Sequence, residues 1–451
     1  MSKTSVTLSA VQLANVRAME MAEIRFQPDF NLIVGVNGVG KSTVLDALRI
    51  CMSRILPSVS DSRAKAISFD VNDVRYGSSF LDVELSLNIG EHEFSFTRRQ
   101  WRDVATTDDL VNVEQLRRRI LDSNRPRDRK LSLLRQIDES PAGTDTDYFW
   151  PSKRNFQVAC REAVSMPNCV FFSTARSMVS HAKAKSRSTG GTASAYTDAL
   201  IRRPLYIARF TEWMKAQEDL AKEQPLAEQR LSVLQAAVSR FLPDYGSLTL
   251  DKTKGTDESS TAAPPRLLIN RGGSRLRVDQ LSDGERGVLA LVLDLARRLA
   301  QANSKLEDPL TEGEAIVLID EIDLHLHPTW QRQIVHKLTD TFPRCQFIAT
   351  THSPQVIGEV NSNGIHIMAD GEVYSPAHSF GVDSSRVLEE VMDAHARNFE
   401  IQELLQRISD RVGDDLYSDA RNLLDQLAER VGEDDPEVTR VRTLLDFLED
   451  E

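Results

Sequence analysis

The segment GVNGVGKS at residues 35–42 constrains this chain more than any other part of its sequence. It follows a short apolar run at 30–36, which predicts a buried strand, and it opens a helical pattern at 41–55. Its three glycines allow the backbone to curl so that N–H groups face a phosphate, and the N-terminus of the helix adds positive potential. A strand, a glycine-rich loop and a helix in this order predict a phosphate-binding loop.

Two side chains of this loop carry the chemistry that a bound nucleotide requires. Lys41 supplies a positive charge to the oxygens of the β- and γ-phosphates, and Ser42 supplies a hydroxyl group to the accompanying Mg²⁺ ion. Chance matches to so short a pattern occur, but the strand before it and the helix after it are the context that the pattern requires. The sequence therefore predicts a site for ATP and Mg²⁺.

A second motif, IVLIDE at residues 316–321, places two adjacent carboxylates after four apolar residues. Because side chains alternate along a strand, Asp320 and Glu321 point in different directions. We expect Asp320 to reach the Mg²⁺ ion through water, and Glu321 to orient and polarise the water that attacks the γ-phosphorus. An ordinary acidic loop after a strand is the alternative interpretation.

His352, in the segment ATTHSP, follows another apolar strand pattern at 346–350. A histidine at this place could contact the γ-phosphate or the attacking water. A single histidine after a strand is more often a surface or structural residue, and only the two motifs described above favour the catalytic interpretation. On that basis we predict Glu321 and His352 as the catalytic residues.

The alternation of short apolar strands with helices predicts an α/β core with a mostly parallel sheet. A hairpin at 10–27 and a pair of exposed antiparallel strands at 79–97 predict an antiparallel N-terminal subdomain. We expect four regions, which are an N-terminal lobe at 1–100 with the phosphate loop, a mixed or helical insertion at 101–264, a C-terminal lobe at 265–378 with the later motifs, and an acidic helical tail at 379–451.

Polar, Gly-, Ser- and Thr-rich stretches predict irregular segments between these elements. Residues 139–147 and 184–196 read as loops, and 251–264 reads as a linker. A helix from about 206 to 241 is interrupted near Pro225, because proline ends or kinks a helix. The tail is helical, with breaks at Gly413 and at 432–436.

The net charge of −12 is unevenly distributed along the chain. Residues 401–451 contain 15 acidic and six basic side chains, whereas 115–135 and 176–187 are locally basic. One face of the insertion could therefore meet the phosphates of DNA or another nucleic acid, although a solvated helix face and an exposed loop would give the same pattern. The acidic tail is either a docking element or a solvated helical cap.

The cysteine pattern and the absence of long apolar runs favour a cytoplasmic protein without a membrane segment. Four scattered cysteines without a CxxC pair indicate reduced, buried thiols rather than a metal site. The chain has no run of eighteen apolar residues, and its first thirty residues lack the apolar core of a secretory signal.

A third motif makes a family resemblance specific. LSDGERG at 281–287 resembles the signature motif of ABC-class ATPases, and the phosphate loop, this signature, IVLIDE and TTHS follow one another in that family's order. The long separation of Lys41 from Ser282, the hairpin with NVR before the phosphate loop, and the run EIDLHLHP at 321–328 make the chain similar to the RecF, SMC, Rad50 and OLD branch. Within this branch it resembles PtuA, the ATPase subunit of Septu and retron-linked antiphage systems. The implied fold is a P-loop NTPase with an ABC-type head.

The resemblance implies a nucleotide site that two chains build together. Ser282, Gly284 and Glu285 of a second protomer would close over the γ-phosphate, so that ATP drives assembly of a homo-oligomer and hydrolysis releases it. The residues implied to bind the nucleotide within one chain are Arg17, Asn37, Gly38, Val39, Gly40, Lys41, Ser42 and Thr43.

For a few further positions the resemblance leaves alternatives open. Asp323 would lie at the seam between protomers, where His325 and His327 would be structural or, alternatively, would bind a metal. Gln100 and Arg176 are alternative candidates for the family's Q-loop.

The resemblance also implies that the chain hydrolyses ATP and regulates a separate HNH nuclease in antiphage defence. The 99 residues after His352 lack the acidic cluster of an OLD-type nuclease, so we expect no intrinsic nuclease. One alternative is a RecF-like ATPase that acts in DNA repair or senses DNA ends. Another is a scaffold that is locked in one state by bound ATP and barely hydrolyses it.

Overall fold

The computed structural model describes residues 5–102, 114, 117–118, 120–122, 127–139, 144–163, 168–177, 191–204, 207–251, 266–382, 384, 386–387 and 397–449. They divide into two compact units, Met1–Val382 and Asp383–Glu451. The strands of the first unit are β1 (Val6–Val16), β2 (Met19–Arg25), β3 (Phe30–Val34), β4 (Phe80–Ile89), β5 (His92–Trp101), β6 (Thr146–Trp150), β7 (Cys169–Phe172), β8 (Tyr245–Asp251), β9 (Arg266–Arg271), β10 (Ser274–Arg277), β11 (Ile316–Ile319), β12 (Gln346–Thr350), β13 (Ile365–Ala369) and β14 (Glu372–Tyr374). Its helices are α1 (Lys41–Val59), α2 (Arg127–Glu139), α3 (Lys153–Glu162), α4 (Ile207–Leu220), α5 (Pro225–Phe241), α6 (Asp283–Ala302), α7 (Pro309–Glu312), α8 (Pro328–Thr341) and α9 (Pro354–Ile357).

A six-stranded sheet lies at the centre of the first unit, in the order β14-β13-β3-β12-β11-β7. Five strands are parallel, and only β14 pairs in the antiparallel direction. Strands β3, β7, β11 and β12 are buried along their whole length, as expected for parallel strands that are covered on both faces. The predicted α/β core with a mostly parallel sheet is confirmed, and the ends of β3, β11 and β12 lead into three of the predicted motifs.

A five-stranded antiparallel sheet, ordered β2-β1-β4-β5-β6, contains the predicted N-terminal hairpin. Strands β4 and β5 are mostly buried, so the prediction of exposed strands at 79–97 is wrong. One face of this sheet packs its apolar side chains with those of α1. On the other face Arg129 of α2 donates hydrogen bonds to Glu84 at 2.6 Å and to Ser86 at 2.9 Å. The polar side chains that suggested a solvated face are therefore paired beneath a helix.

Residues 101–264, which we predicted as an insertion, contribute a strand to each sheet of this unit. Strand β6 extends the antiparallel sheet, β7 is an edge of the central sheet, and β8 completes a small sheet in the order β10-β9-β8. The interrupted helix of this region is confirmed as α4 and α5, and Pro225 is the first residue of α5, where its missing N–H is harmless. The four-region division of the chain stays a prediction.

The predicted loops are wrong in part where the structure describes them, although residues 144–145 do lie outside any helix or strand. At 139–147, α2 extends to Glu139 and β6 begins at Thr146. At 191–196 the chain forms a 3₁₀ turn, and Tyr196 is buried because it packs against Ala302 of α6. Residues 140–143, 184–190 and 252–264 lie outside the described residues.

The second unit contains helices α10 (Phe399–Gly413), α11 (Tyr417–Val431) and α12 (Pro436–Glu449). These bounds confirm the predicted helical pattern and its breaks at Gly413 and at 432–436. Apolar side chains from all three helices form one buried cluster. Among the helices that the structure describes, none is long and apolar enough to cross a bilayer.

Candidate functional site

The phosphate loop at 35–42 joins the end of β3 to α1. Gly35, Gly38 and Gly40 have φ angles of 152°, 89° and 107°, which L side chains rarely adopt. A Cβ atom at Gly35 would also lie 2.5 Å from the backbone oxygen of Met368. Gly40 precedes α1, whose first turn contains no acidic side chain that would offset the positive end of the helix dipole. The loop therefore presents backbone N–H groups and positive potential to an anion.

Lys41 is held against the loop from the inside. Its Nζ donates hydrogen bonds to the carbonyl oxygens of Gly35 at 2.8 Å and Val36 at 3.0 Å, and the side chain is nearly inaccessible. Burial lowers the pKa of the ammonium group, while the carboxylates that follow β11 act in the opposite direction. The loop therefore orients the ammonium group of Lys41, which is expected to bind the phosphates of the nucleotide.

Ser42 connects the phosphate loop to Asp320, which lies 278 positions later in the chain. Ser42 Oγ donates to Asp320 Oδ1 at 3.0 Å, and Thr350 Oγ1 donates to the same oxygen at 2.9 Å. A hydroxyl and a carboxylate are the oxygen ligands that Mg²⁺ prefers, and Mg²⁺ beside nucleotide phosphates needs only one or two carboxylates from the protein. The donor set at Ser42 and Asp320 therefore fits a Mg²⁺ ion.

Glu321 begins the turn that follows β11. Its φ angle is 49°, in the left-handed region that non-glycine residues rarely occupy. Its N–H donates to Thr350 Oγ1 at 2.7 Å, so one hydroxyl group contacts both residues of the acidic pair. Our sequence reasoning did not identify Thr350, although its place at the end of a strand, two residues before His352, is a signal that could have found it.

His352 follows β12 at the same edge of the central sheet. Burial lowers the pKa of its half-buried ring, and the charge of Lys41 lowers it further. The carboxylates after β11 act in the opposite direction without overcoming these effects. The ring is therefore neutral near pH 7, so that one nitrogen donates and the other accepts a hydrogen bond. Thr351 Oγ1 donates to Asp323 Oδ1 at 2.6 Å, which joins the segments that follow β12 and β11.

Ser282 is the N-cap of α6 and forms a capping box with Glu285. Ser282 Oγ lies 2.8 Å from Glu285 Oε2 and accepts from the Glu285 N–H at 3.3 Å. The other carboxylate oxygen of Glu285 accepts from Tyr245 at 2.6 Å and Arg271 at 3.1 Å. Although burial raises the pKa of Glu285, the hydrogen bonds from Tyr245 and Ser282 lower it below the ordinary value. Glu285 therefore stays ionised and fixes the exposed hydroxyl of Ser282.

Gly284 packs against the segment that follows β11. A Cβ atom there would lie 2.3 Å from the backbone oxygen of His325, whose φ angle is 61°. His327 caps α8, and its Nδ1 accepts from the N–H of Thr329 at 3.3 Å. The His327 side chain thus makes a structural contact, whereas for His325 only the backbone contact is described, and the role of its side chain stays a prediction. Within the described part of the chain, no group of three His, Cys, Asp or Glu side chains could hold a metal ion.

Arg17 lies in the turn between β1 and β2, beside α1. Its guanidinium contacts Thr43 Oγ1 at 3.3 Å, Asp46 Oδ2 at 3.0 Å and Asp73 Oδ1 at 2.8 Å. Burial disfavours the charged form, but Asp73 and Asp46 more than offset it and raise the pKa of Arg17. A permanent positive charge therefore lies one side chain away from the phosphate loop.

The two Q-loop candidates lie in different places. Gln100 is buried in the antiparallel sheet, where it donates to the Phe69 carbonyl at 2.7 Å and accepts from Arg98 at 3.1 Å. Arg176 donates instead to the backbone oxygen of Asp320 at 2.6 Å and to that of Glu321. Of the two, only Arg176 contacts the residues of the acidic motif.

Comparisons with known proteins agree with this constellation. Residues 7–116 match a family model described as "AAA ATPase domain", and residues 150–358 match one described as "AAA domain, putative AbiEii toxin, Type IV TA system". Over 217 residues the chain is 38% identical to the retron Ec83 probable ATPase of Escherichia coli, a match that covers 47% of this chain and 38% of that protein. It is 36% identical over 96 residues to the Septu protein PtuA of Bacillus mycoides (strain KBAB4), with coverage of 21% and 13%.

Among solved structures, the SMC head bound to the C-winged helix domain of ScpA matches with a TM-score of 0.45 and 15% identity, over 82% of this chain and 97% of that one. The chain spans less than two fifths of the length of the curated relatives that it matches. The two matched ranges together include the phosphate loop, the signature, the IVLIDE motif and His352. The chain therefore contains two regions that match AAA ATPase family models, and it is similar in sequence to a retron ATPase and to PtuA.

Proposed function

We propose that this chain binds and hydrolyses ATP with Mg²⁺. The observation that carries the proposal is the 3.0 Å contact between Ser42 and Asp320, which joins the phosphate loop to the acidic motif. It brings a hydroxyl, a carboxylate and the oriented charge of Lys41 to one edge of the central sheet. A fold alone does not establish an activity, so the proposal depends on this arrangement of side chains.

The phosphate loop holds the triphosphate of ATP. The backbone N–H groups of residues 37–43 and the ammonium of Lys41 neutralise the phosphate oxygens, and Arg17 adds a charge beside Thr43. Ser42 and Asp320 hold the Mg²⁺ ion, which when bound neutralises charge that develops on the phosphates. Lys41 and Asp320 are buried, which strengthens their electrostatic interactions because little water screens them.

Glu321 acts on the attacking water. Its carboxylate accepts a proton as the water oxygen bonds to the γ-phosphorus and the bond to the β-phosphate oxygen breaks, which leaves ADP and phosphate. His352, neutral near pH 7, donates a hydrogen bond to the γ-phosphate or to this water.

We further propose that each site is completed by a second copy of the chain. Ser282 is exposed at the positive end of the 20-residue helix α6, and its hydroxyl and N–H contact Glu285 rather than the phosphate loop of its own chain. The first turn of α6 contains Asp283 and Glu285, but arginines pair with both carboxylates, so the backbone N–H groups of this helix end are a candidate contact for the γ-phosphate of a neighbouring chain. ATP binding would then assemble a homo-oligomer, with Asp323 near the seam.

We also propose that the chain acts in antiphage defence and regulates a separate HNH nuclease, a proposal that is supported only as far as its similarity to a retron ATPase and a Septu protein. The acidic tail is a candidate docking element for the nuclease, and the basic segments of the insertion are candidates for contact with DNA, although much of 103–126 and all of 178–190 lie outside the described residues. Affinity purification at native expression tests this part. Recovery of a nuclease would support it, and recovery of only repair proteins or DNA would favour the RecF-like alternative.

Replacement of Glu321 by glutamine tests the chemistry. Because a positioned general base contributes roughly 10²- to 10⁴-fold, we expect Glu321→Gln to lower kcat by that factor while ATP binding is retained. The matched control is Glu372→Gln on the edge strand β14, which should hydrolyse ATP like the wild type. If the wild type is no faster than Glu321→Gln, the chain is a nucleotide-locked scaffold instead.

Mass measurement with and without ATP tests the shared site. We expect Glu321→Gln with ATP to form the larger species, because bound ATP persists in this variant. Adding Ser282→Arg should abolish the shift, since a long charged side chain would face the second copy. An unchanged mass with ATP, or a shift that survives Ser282→Arg, would contradict the shared site.

A further inference from the structure

Arg176 occupies an unusual place beneath the acidic motif. It lies in the 3₁₀ turn Thr174–Ser177 after β7, the strand that pairs with β11, and it is 5% exposed. Its Nη1 donates to the backbone oxygens of Asp320 at 2.6 Å and Ser173 at 3.3 Å, and its Nη2 donates to the backbone oxygen of Glu321. Among the described residues, all its hydrogen bonds therefore go to carbonyl oxygens.

A guanidinium buried against carbonyl groups is costly, and within the part of the chain that the structure describes no carboxylate forms an ion pair with Arg176. Burial lowers the pKa of Arg176 to about 10, and the nearby charges of Asp323, Asp320 and Glu321 oppose this shift. The group therefore stays protonated at neutral pH. Its planar fork can bind two successive carbonyl oxygens at once, which a lysine ammonium does not reproduce.

Arg176 binds the backbone at Glu321, which has an unfavourable conformation. Glu321 has a φ angle of 49°, which the surrounding contacts must maintain. On its N-terminal side the N–H of Glu321 donates to Thr350 Oγ1 at 2.7 Å. On its C-terminal side the carbonyl accepts from Arg176. Both peptide groups that flank the Glu321 side chain are thus held from both sides. Arg176 also binds the Asp320 carbonyl, and the N–H of Ile322 donates to the backbone oxygen of Thr350 at 2.9 Å. The N–H of Leu324 adds a bond of 3.0 Å to the Glu321 carbonyl within the turn, so Arg176 is its one side-chain donor among the described residues.

We propose that Arg176 is a positioning residue that holds the Glu321 backbone in its left-handed conformation and so aims the carboxylate at the attacking water. The inference rests on the proposed ATP hydrolysis and adds a residue that acts through Glu321 without touching the nucleotide.

Arg176→Met removes the donors at similar side-chain length, and steady-state kinetics with binding of a fluorescent ATP analogue measure the effect. A misplacement of about 1 Å costs roughly 10²-fold, so we expect kcat to fall by that factor while KM and the analogue's Kd stay within about threefold. Arg176→Lys, which keeps the charge but loses the fork, should recover part of kcat. In a Glu321→Gln background Arg176→Met should lower kcat no further, because both changes remove the same contribution.

Arg99→Met is the matched control. Arg99 is as buried as Arg176 but binds Asp82 in the antiparallel sheet, so its loss should lower thermal stability and leave kcat unchanged. If Arg176→Met does not fold, a smaller loss in Arg176→Lys that is confined to kcat carries the test. The inference fails if the wild type hydrolyses ATP and Arg176→Met matches it, if analogue binding falls as much as kcat, or if the loss adds to that of Glu321→Gln. Absent hydrolysis in the wild type would instead overturn the proposed function.

Discussion

One hydroxyl group, that of Thr350, contacts both residues of the acidic pair. Thr350→Val keeps the shape of the side chain but leaves the part-buried N–H of Glu321 without its acceptor and removes one of the two hydroxyl donors, Thr350 and Ser42, to Asp320 Oδ1. We expect the free energy of unfolding to fall by about 1–3 kcal/mol. We also expect kcat to fall roughly 10- to 100-fold, since the Glu321 backbone loses one of the two side chains, Thr350 and Arg176, that hydrogen-bond to it among the described residues. Urea denaturation and steady-state kinetics measure these effects.

Thr350→Ser is the matched control, because it retains the hydroxyl group and should stay within a few-fold of the wild type. A serine variant as slow as the valine variant would show that the methyl group, and not the hydroxyl, matters. Wild-type turnover in Thr350→Val would contradict the anchoring role.

At this residue scale the sequence predicts only part of the site. Lys41, Ser42 and Asp320 could be named because each lies in a motif whose chemistry dictates the residue type. Thr350 and Arg176 act through backbone groups of other strands, and their roles depend on β11 lying between β7 and β12. Strand order is a long-range property, and periodicity along the chain does not encode it.

At the scale of secondary-structure elements, the pairing of β13 with β3 contains a buried histidine. His366 is 5% exposed, and its Nε2 lies 3.3 Å from Asn31 Oδ1, so the neutral ring donates this bond. Burial lowers the pKa of His366 to about 4. The unfolded chain, with an ordinary histidine pKa near 6.5, therefore binds the proton more readily between these two values.

The sign of the pH effect follows directly. Because the unfolded state takes up the proton first, His366 destabilises the fold as pH falls from about 6.5 to about 4, by roughly 2–3 kcal/mol at pH 4.5. His366→Gln should remove this contribution, so that its unfolding free energy drops less between pH 7 and pH 4.5. Chemical denaturation at both pH values measures the difference. Parallel pH curves for the wild type and the variant would contradict the prediction.

Elements whose burial follows from their own sequence were predicted best. The apolar runs of β3, β11 and β12 identified central strands, and Pro225 marked a helix start. Strands β4 and β5 were misjudged because alternation shows which side chains share a face but not what covers that face. Here α2 covers it, and Arg129 neutralises Glu84 where solvent was expected.

At the scale of the whole chain, a single amide ties the N-terminus to the later half of the first unit. Gln346 on β12 accepts from the Leu8 N–H at 2.8 Å, and its Nε2 donates to the carbonyl oxygens of Leu8 at 2.7 Å and Gln27 at 2.8 Å. The antiparallel sheet and the central sheet are therefore joined by hydrogen bonds across 338 positions of sequence. Such a contact explains why residues 1–382 form one compact unit although its motifs are dispersed.

The second unit has its own apolar core and should fold without the first. Its buried cluster draws on all three helices, and ion pairs join Arg397 to Asp435 at 2.9 Å and Arg421 to Asp446 at 2.6 Å. We expect the fragment 397–451 to be helical by circular dichroism and to unfold cooperatively. A bundle of this size has only about 3–5 kcal/mol of stability.

Leucine truncation in this bundle separates core from surface. Leu427 is fully buried, so Leu427→Ala should cost about 2–5 kcal/mol and unfold the fragment, whereas Leu444→Ala, at a side chain 40% exposed, should leave it folded. In the full chain, Leu427→Ala should leave kcat for ATP within about twofold of the wild type, because the ATP site lies in the first unit. A disordered wild-type fragment, or equal effects of the two substitutions, would contradict an independent bundle. A large loss of kcat would instead show that the acidic tail takes part in hydrolysis.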